Sequence, residues 1–599
     1  MLTRVDEETV LRAPATVLER AGGAAVAIDP AAPNWIATDE RGLRILRYLD
    51  GRTPLGEVVR RYAADSGLDL ARAWLHVDTF TRDALRQHFI STDGAVPLPY
   101  LGRATYLRTD RLREFWIQVN DFCNLACEHC LVSSAPGRGR GLPAADVRSA
   151  IDQAVALGVE RFYLTGGEPL ARTDAIELID YIVRTRQREL VVMTNGTILK
   201  GDRLRALAAL PADQVRAQIS LDGASPDVND PIRGAGTFER IRSGIEAAVA
   251  AGLRTTITMV LVRHNIADAP ALVRLAADLG VTNVHLLWPH RRGRVLMGPF
   301  ANLPSATDIL EAVRRAQDAA RPVGVTIDNV EELRLRFDGT PGVKNDLAGA
   351  GWTSLCMGPD GGIYPSASMA GVPELHCGSL LEQPLDQIWK QSALLNDLRG
   401  ATVERKPQCR TCHFKFLCGG GDIEHGYWAS GVAAGRGSFL GADPYCELYQ
   451  GLARETFAGL VEEGRESVQP RSGFDRPTVL RGMGERALHD EAEIVRTTHS
   501  ACVLSEEVAD RSRAAVREFY GHAAEQPQAE LCCPVRPDPE DLAHIPAEVV
   551  ERFYGCGSPV SAAAPQTGET LVDLGSGAGI DCSLRPAVSG RRAASSAST

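Results

Sequence analysis

The chain has 599 residues, of which 44% are hydrophobic, and its formal net charge is −11. This length predicts several domains, since a single hydrophobic core rarely grows beyond about 250–300 residues. Charged residues of both signs are interspersed without a lysine-rich or arginine-rich block, which argues against a nucleic-acid partner. No stretch reaches the roughly 18 apolar residues of a membrane span, and residues 1–6 lack the apolar core of a signal peptide. We therefore expect a cytoplasmic protein with no membrane partner.

The cysteines are unevenly placed. There are 14 of them, and nine fall in tight groups between Cys123 and Cys446. In a reducing cytosol, clustered thiols are more often metal ligands than disulfides. The pattern therefore predicts metal chemistry in the middle of the chain.

Residues 1–93 contain short stretches of helical periodicity at 41–49 and 55–62, separated by an Asp-Gly break. This period predicts a small, mostly helical module. Residues 94–111 are rich in Pro, Gly and isolated aromatic residues, which is typical of a linker.

Six apolar runs typical of strands follow, with helical stretches between them. They cover residues 115–119, 162–164, 190–193, 215–219, 255–262 and 284–288. Repeated βα units of this kind predict a parallel sheet, either open or closed into a barrel. Six units are fewer than the eight of a complete barrel.

The last third of the chain is less regular. Residues 345–450 are rich in Gly, Cys and Pro and poor in periodicity, so we expect something other than a hydrophobic core to hold them together. Residues 451–510 are charged and favour a helical linker. A final apolar strand at 570–574 leads into a glycine-rich run at 575–579.

Three cysteines, Cys123, Cys127 and Cys130, lie within eight residues directly after the first predicted strand of the βα series. Three thiolates can hold three irons of a cubane cluster and leave the fourth iron free for another ligand. A zinc site is the alternative, but zinc usually takes four protein ligands with Cys-x2-Cys spacing. The Cys-x3-Cys-x2-Cys spacing therefore favours an iron–sulfur cluster.

This motif resembles the cluster loop of the radical S-adenosylmethionine (SAM) superfamily, and the resemblance covers residues 112–325. It implies an α/β fold with a partial (βα)6 barrel, a catalytic [4Fe–4S] cluster on Cys123, Cys127 and Cys130, and bound SAM. The implied activity is reductive cleavage of SAM to methionine and a 5′-deoxyadenosyl radical, which abstracts hydrogen.

Further residues match the superfamily's SAM-binding positions at the ends of the second, third and fourth strands and in the loop beyond them. They are Gly166, Gly167, Glu168, Pro169, Thr194, Asn195, Ser220, Asp222 and Arg233. The resemblance implies that the glycines let the backbone approach SAM and that Glu168 pairs with its ammonium group. It likewise assigns Arg233 to the methionine carboxylate. Ordinary strand-end turns are the alternative, and His129 is interpreted as a packing residue.

A second group, Cys409, Cys412, Cys418 and Cys446, resembles the outer auxiliary-cluster ligands of the SPASM extension found in peptide-modifying enzymes. A zinc ribbon is the alternative, since four thiolates at these spacings could also satisfy zinc. The resemblance implies a Cys-rich domain that binds an auxiliary iron–sulfur cluster.

For an inner auxiliary cluster the resemblance is incomplete. Cys356 is present, but Ser366 and Asp422 stand where two cysteines are expected. Cys377 could replace one of them, and Asp422 could ligate iron through oxygen. One auxiliary cluster is therefore expected, and a second is left open.

The N-terminal module, with Trp35 and two short helices, resembles the small PqqD-like peptide-binding domain of pyrroloquinoline quinone biosynthesis. This implies a small helical, winged-helix-like domain that captures a precursor peptide by strand addition. A helical cap without a ligand is the alternative.

Residues 572–579 resemble motif I of class I methyltransferases. The cysteines at 532, 533 and 556 make the region most similar to arsenite methyltransferases. Only 20 residues follow Gly579. We therefore expect a truncated methyltransferase domain without a complete cofactor site.

Together these features predict a modular enzyme. The expected segments are a PqqD-like domain (1–93), a linker (94–111), a radical SAM core (112–325), a SPASM domain (345–450), a helical linker (451–510) and a truncated methyltransferase domain (511–599). The preferred hypothesis is a peptide-modifying radical enzyme, with a precursor peptide and a reductant such as flavodoxin or ferredoxin as partners. One alternative is a radical enzyme that acts on a small-molecule or organoarsenic substrate. Another is a non-catalytic iron–sulfur carrier or peptide chaperone.

Overall fold

A computed structural model describes residues 5–92, 112–139, 141–337, 349–431, 436–467, 477 and 479–482. The chain divides into two compact units, residues 1–505 and 506–599, and all described residues belong to the first. The predicted linker at 94–111 and the methyltransferase-like segment at 511–599 lie outside the described residues. Within the described part, every helix is too short or too polar to cross a bilayer.

The N-terminal module mixes strands and helices rather than being mostly helical. Its strands are β1 (Val10–Arg12), β2 (Val17–Ala21), β3 (Ala24–Asp29), β4 (Asn34–Thr38), β5 (Asp50–Pro54) and β6 (Ser91–Thr92), and its helices are α1 (Glu40–Leu46), α2 (Leu55–Ser66) and α3 (Leu70–Arg86). The two predicted helices correspond to α1 and α2. Every residue of β3 and β4 is buried. These strands therefore lack the polar and apolar alternation by which a half-exposed strand is recognised.

β2, β3 and β4 form an antiparallel sheet that is covered on both faces. Successive side chains of a strand point to opposite faces. Val26 and Trp35 accordingly lie in the main core, whereas Ala27 and Ile36 pack beneath the helices of the module. The indole of Trp35 donates a hydrogen bond to the carbonyl of Phe337 at 2.8 Å. The sheet is thus the layer that joins the module to the rest of the unit.

The six predicted strands of the βα series are confirmed. They are β7 (Glu114–Gln118), β8 (Arg161–Thr165), β9 (Glu189–Thr194), β10 (Val215–Ser220), β11 (Arg254–Val260) and β12 (Asn283–Leu287). All six are parallel and lie side by side in chain order, and β13 (Thr326–Ile327) extends the sheet beyond β12. The carboxyl ends of these strands, and the loops that follow them, therefore meet at one edge.

Helices connect these strands and cover the sheet. They are α4 (Ala144–Ala156), α5 (Ala175–Asp180), α6 (Gly201–Ala208), α7 (Pro226–Arg233), α8 (Thr237–Ala250), α9 (Ala269–Asp278), α10 (Ala306–Ala320) and α11 (Asp328–Phe337). In α4 the buried residues are Val147, Ala150, Ile151 and Ala154. This spacing of three and four places one apolar stripe against the sheet.

The Cys-rich region continues the central sheet. It contains β14 (Ser354–Met357), β15 (Gly362–Tyr364), β16 (Gly378–Ser379), α12 (Leu385–Gln391), α13 (Ala393–Arg399), α14 (Lys415–Cys418) and α15 (Ile423–Gly431). β14 pairs in parallel with β7, and β15 and β16 follow in antiparallel pairing, which completes a ten-stranded sheet. Trp389 and Leu398 are fully buried. Apolar packing therefore helps to hold this region together, contrary to the expectation from its composition.

A long helix, α16 (Cys446–Ser467), crosses the predicted boundary before residues 451–510, and the last described strand is β17 (Val479–Gly482). Leu452 and Phe457 of α16 are buried. The ring of Phe457 meets Trp35 edge-on, with 4.8 Å between ring centroids. The first part of the predicted helical linker is thus a core helix, because its apolar stripe packs against the N-terminal sheet.

Candidate functional site

The three clustered cysteines lie in the loop that follows β7, at the carboxyl edge of the sheet. Cys123 is buried, Cys127 and Cys130 are partly exposed, and all three line one cavity. Burial raises the pKa of Cys123 to about 12, so its thiol keeps the proton at neutral pH unless a metal displaces it. Three thiols facing one space fit the ligand set of a cubane with one open iron.

Six of the predicted SAM-contacting residues line the same cavity. They are Gly166, Gly167, Thr194, Asn195, Ser220 and Arg233. The other three, Glu168, Pro169 and Asp222, are buried behind the cavity wall and do not line it. In the structure these three residues lie behind the wall, and their contact with SAM stays a prediction from the sequence.

Gly166 and Gly167 are required by the close approach of the cluster loop. A Cβ atom on Gly167 would lie 2.0 Å from the carbonyl oxygen of Phe122, and one on Gly166 would lie 2.5 Å from the carbonyl oxygen of Asn120. Gly166 also has a φ of +137°, which L-residues rarely adopt. The protein partner that comes closest to these glycines is thus the cluster loop itself.

Glu168 links the ends of β8 and β9. Its carboxylate accepts hydrogen bonds from the hydroxyl of Thr194 at 2.8 Å and from the amides of Asn195 at 2.8 Å and Leu170 at 3.1 Å. Burial raises the pKa of Glu168 to about 7, although these donors oppose the rise. The carboxylate is therefore held by internal donors, and its contact with an ammonium group stays a prediction from the sequence.

Asp222 joins two residues of the cavity wall. Its Oδ2 lies 2.6 Å from Nε2 of His129 and 2.6 Å from Nε of Arg233, and its Oδ1 accepts from the amide of Val260 at 2.9 Å. Burial would raise the pKa of Asp222, but the charges of Arg233 and His129 outweigh it and hold the pKa at about 2. The carboxylate is therefore ionised and fixes both partners. His129 is a polar member of this group, not only a packing residue.

The segment after β12 braces the cluster loop from the other side of the cavity. Arg294 donates to the carbonyls of Cys127 and Ser134, both at 2.8 Å, and its amide donates to the carbonyl of Cys130 at 3.1 Å. A Cβ on the neighbouring Gly293 would lie 2.3 Å from the carbonyl oxygen of Cys130. Close packing between the segment after β12 and the cluster loop thus shapes the loop that carries the three thiols.

Sequence reasoning missed Arg294 and two further wall residues, His290 and Arg292. All three follow β12, so the rule that sites form at the carboxyl ends of parallel strands could have found them. Burial lowers the pKa of His290 to about 3, and its imidazole is neutral. Arg292 donates to the carbonyls of Ser368 and Ala370 and thereby ties the cavity wall to the Cys-rich region.

The second cysteine group lines its own cavity, and its members are Cys409, Cys412, Cys418 and Cys446. Cys409 and Cys412 precede α14, Cys418 is the last residue of α14, and Cys446 is the first residue of α16. Among the described residues, no three His, Cys, Asp or Glu side chains converge closely enough to hold a single metal ion. Four thiols around one cavity fit the four-thiolate ligand set of an iron–sulfur cluster.

Two of the residues considered for an inner auxiliary cluster are thiols, Cys356 and Cys377. Cys356 lies in an apolar cluster on one side of the sheet, whereas Cys377 packs against the main core. The amide of Asp422 donates to Asp443 at 2.6 Å, and the carboxylate of Asp422 accepts from the amide of Glu424 at 2.8 Å.

A polar network lies beside Cys356 instead. The hydroxyls of Ser366 and Ser368 are 3.3 Å apart, and Ser368 donates to the carboxylate of Glu424. Glu424 also lies 3.7 Å from Nε2 of His290. Burial raises the pKa of Glu424, and hydrogen bonds from Ser368 and Ser366 partly offset the rise. Ser366 therefore belongs to a hydrogen-bonded network that lies beside Cys356.

Comparison with known proteins agrees with this geometry. A family model described as the radical SAM superfamily matches residues 117–276, and one described as an iron–sulfur cluster-binding domain, SPASM, matches residues 349–413. The PqqA peptide cyclase of Streptomyces rochei is 31% identical over 349 residues, which cover 58% of this chain and 93% of that protein. The AdoMet-dependent heme synthase of Methanosarcina barkeri is 27% identical over 347 residues, covering 54% and 93%. Streptococcus suis SuiB bound to precursor peptide SuiA has a TM-score of 0.46, with 15% identity over 73% of this chain and 98% of that one.

The fold and the site define an iron–sulfur enzyme built on a sheet of parallel βα units. The chain belongs to the radical SAM superfamily, in the group that carries a SPASM domain. Its cofactors are accordingly a [4Fe–4S] cluster and SAM in the radical SAM domain, with auxiliary iron–sulfur binding in the SPASM domain.

Proposed function

We propose that Cys123, Cys127 and Cys130 hold the catalytic cluster and that SAM binds beside them in the cavity. The observation that carries this proposal is that three thiols of one loop and six strand-end or loop residues line a single space. When bound, the cluster supplies one electron to the sulfonium of SAM, which yields methionine and a 5′-deoxyadenosyl radical that abstracts hydrogen from the substrate.

The wall residues bind and orient SAM. Arg233 faces the cavity with its guanidinium fixed by Asp222, and a fixed guanidinium suits the methionine carboxylate. Ser220 and Asn195 lie at the ends of neighbouring strands, where they can contact the ribose and methionine parts. The side-chain amide of Asn195 also lies 3.7 Å from the sulfur of Cys123. It thereby links the cofactor wall to the ligand loop.

We infer that the domains follow the order of the predicted segments. The six βα units over residues 112–325 correspond to the partial (βα)6 barrel, and the SPASM extension covers 345–450 and continues into α16. Three helices and antiparallel strands support a PqqD-like, winged-helix-like module at 1–93. The methyltransferase-like segment at 511–599 stays a prediction from its sequence.

In the SPASM extension we assign one auxiliary cluster, to Cys409, Cys412, Cys418 and Cys446. Their shared cavity supports this assignment. We assign no inner cluster, because Ser366 and Asp422 stand where the resemblance expects two cysteines.

The substrate we infer is a ribosomally made precursor peptide. The similarity to the PqqA peptide cyclase over 93% of that protein supports it. The N-terminal module supports it as well, since a sheet of this kind can capture an extended peptide by strand addition. A reductant such as flavodoxin or ferredoxin would deliver the electrons.

Anaerobic reconstitution with iron and sulfide, followed by SAM and dithionite, tests the radical chemistry. We expect 5′-deoxyadenosine from the wild type and from Cys412→Ala, and none from Cys127→Ala, because only the last change removes a catalytic ligand. Equal production by Cys127→Ala would contradict the ligand assignment. A fully clustered wild type that makes no 5′-deoxyadenosine would favour the iron–sulfur carrier.

A small-molecule substrate is the second candidate, and the similarity to an AdoMet-dependent heme synthase over 93% of that protein favours it. Mass spectrometry of candidate substrates after turnover distinguishes a peptide substrate from a small-molecule substrate. A change in mass of a peptide encoded near the gene supports the peptide, whereas turnover of a metabolite without any peptide supports the second candidate. The organoarsenic version of the second candidate depends on residues 511–599, outside the described part.

A further inference from the structure

A segment from late in the chain completes the sheet of the N-terminal module. β17 pairs antiparallel with the outer edge of β4, so the order of this sheet is β17, β4, β3 and β2. Val479 lies opposite Thr38, and Gly482 lies opposite Ile36. The pairing is that of an extended peptide added to a sheet edge.

The added strand also fits a groove between β4 and α3. The side chain of Val479 packs against the apolar cluster beneath the helices of the module. A Cβ on Gly482 would lie 2.9 Å from the side-chain oxygen of Gln87, the residue that follows α3, and 3.1 Å from the side chain of Ile36. An apolar side chain therefore anchors one end of the strand, and a glycine allows close approach at the other.

The pairing is short and irregular. β17 has four residues against the five of β4, and the register shifts between Val479 and Arg481. Such a shift leaves a residue unpaired and interrupts the ladder. A longer regular strand could therefore pair with β4 more fully than β17 does.

The opposite edge of the sheet has a different role. Glu19 on β2 lies 2.9 Å from Nε2 of His413 and 3.0 Å from Nε of Arg454. These contacts tie β2 to the Cys-rich region and to α16. Among the described strands, β4 is paired on its outer side by β17 alone, so this edge is the one that strand exchange can open.

We propose that Val479–Gly482 is an internal competitor that occupies the peptide-docking edge of β4, and that an extended precursor peptide binds by displacing it. The identity of the incoming peptide rests on the proposed function, whereas strand exchange at β4 does not depend on the reaction that follows. The fitting partner is an extended segment with an aliphatic or β-branched residue where Val479 packs.

The tether decides the strength of the competition. For a segment of the same chain the competing concentration is an effective one, on the order of millimolar. A free peptide with the same pairing would bind the intact protein only near or above that concentration. A peptide that forms the longer, regular ladder gains the advantage needed to displace β17.

The test uses the reconstituted full chain and a fluorescein-labelled synthetic peptide with the sequence of residues 475–484. The variant Val479→Pro/Arg481→Pro removes two amide donors from β17, which disfavours its pairing in the chain but leaves the peptide unchanged. We expect this variant to bind the peptide at least about tenfold more tightly than the wild type. The control Val479→Ile/Arg481→Lys keeps the strand and should behave as the wild type.

Hydrogen exchange gives a second readout. Amides of residues 36–38 should be protected in the wild type, exchange faster in the proline variant and regain protection when the peptide is added. Val479→Asp, which places a charge against the apolar cluster, should act in the same direction, and unchanged iron content reports that the fold is kept.

Equal peptide binding by the wild type and the proline variant, or exchange at 36–38 that none of the changes alters, would overturn the proposal. Because the probe is the chain's own sequence, a failed search for a precursor substrate would leave this result intact. The two proposals therefore fail separately.

Discussion

At the scale of single residues, the cavity wall depends on a buried carboxylate that does not touch the cavity. Asp222 holds Arg233 and His129 at 2.6 Å each, and its pKa of about 2 keeps it ionised at all physiological pH values. Supporting residues of this kind fix the orientation of groups that contact a cofactor, and their loss typically costs about 10- to 100-fold in affinity or activity.

Asp222→Asn tests this positioning role. The change removes the charge that fixes Arg233, so we expect SAM cleavage to fall by about 10- to 100-fold, with a raised apparent KM for SAM and unchanged iron content. The measurement is 5′-deoxyadenosine formation over a range of SAM concentrations. Asp227→Asn, an exposed position at the start of α7, is the matched control and should leave the rate unchanged. A wild-type rate in Asp222→Asn would refute the role.

At the scale of elements, the cluster loop is shaped by the two turns that press on it. The turn after β8 meets it at Phe122 and Asn120, and the segment after β12 meets it at Cys130. Both contacts are made through glycines, because a side chain at either place would overlap the backbone of the loop. The geometry of the three thiols thus depends on neighbours that are remote in the chain.

Gly167→Ala should therefore disrupt the catalytic cluster more than the fold. Its Cβ would lie 2.0 Å from the carbonyl oxygen of Phe122, so either the loop or the turn has to move. We expect loss of about four irons per chain, the content of one [4Fe–4S] cluster, and no 5′-deoxyadenosine. Iron analysis and absorbance after reconstitution measure it.

Gly139→Ala is the control for that change. Gly139 is exposed in the same loop, and a Cβ there meets no atom within 4 Å. Full iron content and activity are expected for this variant. If Gly167→Ala retained both as well, the close approach would not be essential for cluster binding.

At the scale of the whole described unit, one sheet runs from the radical SAM domain into the Cys-rich region. The strand that leads into the three-cysteine loop, β7, also pairs with β14 at the start of the Cys-rich region. The side-chain amide of Gln118 at the end of β7 donates to the carbonyl of Ala367 at 3.1 Å. The SPASM extension is therefore continuous with the radical SAM domain, and it is not a separately packed domain.

Iron analysis of the reconstituted protein gives the number of iron–sulfur clusters in this unit. We expect about eight irons per chain, two [4Fe–4S] clusters, in the reconstituted wild type. Cys412→Ala should reduce this to about four, whereas Cys356→Ala should leave it near eight, since Cys356 is packed among apolar residues. About twelve irons in the wild type, falling by four in Cys356→Ala, would establish an inner cluster instead.

Much of the fold could be predicted from local patterns. All six strands of the central series were found because each is a short apolar run between helices. The module at the N-terminus was harder, since β3 and β4 are buried on both faces and show no alternation. The first part of the supposed linker at 451–510 was misread, because a charged helix reveals its buried stripe only once its partners are known.

The sequence by itself determined what is close along the chain: the three-cysteine loop, the six strands of the βα series and the tight group from Cys409 to Cys418. Tertiary structure decided everything that depends on distant partners. It turned Asp222 toward His129 and placed β17 on β4. The physical reason is that spacing fixes neighbours within one loop or strand, whereas contacts between loops depend on register and packing across the sheet.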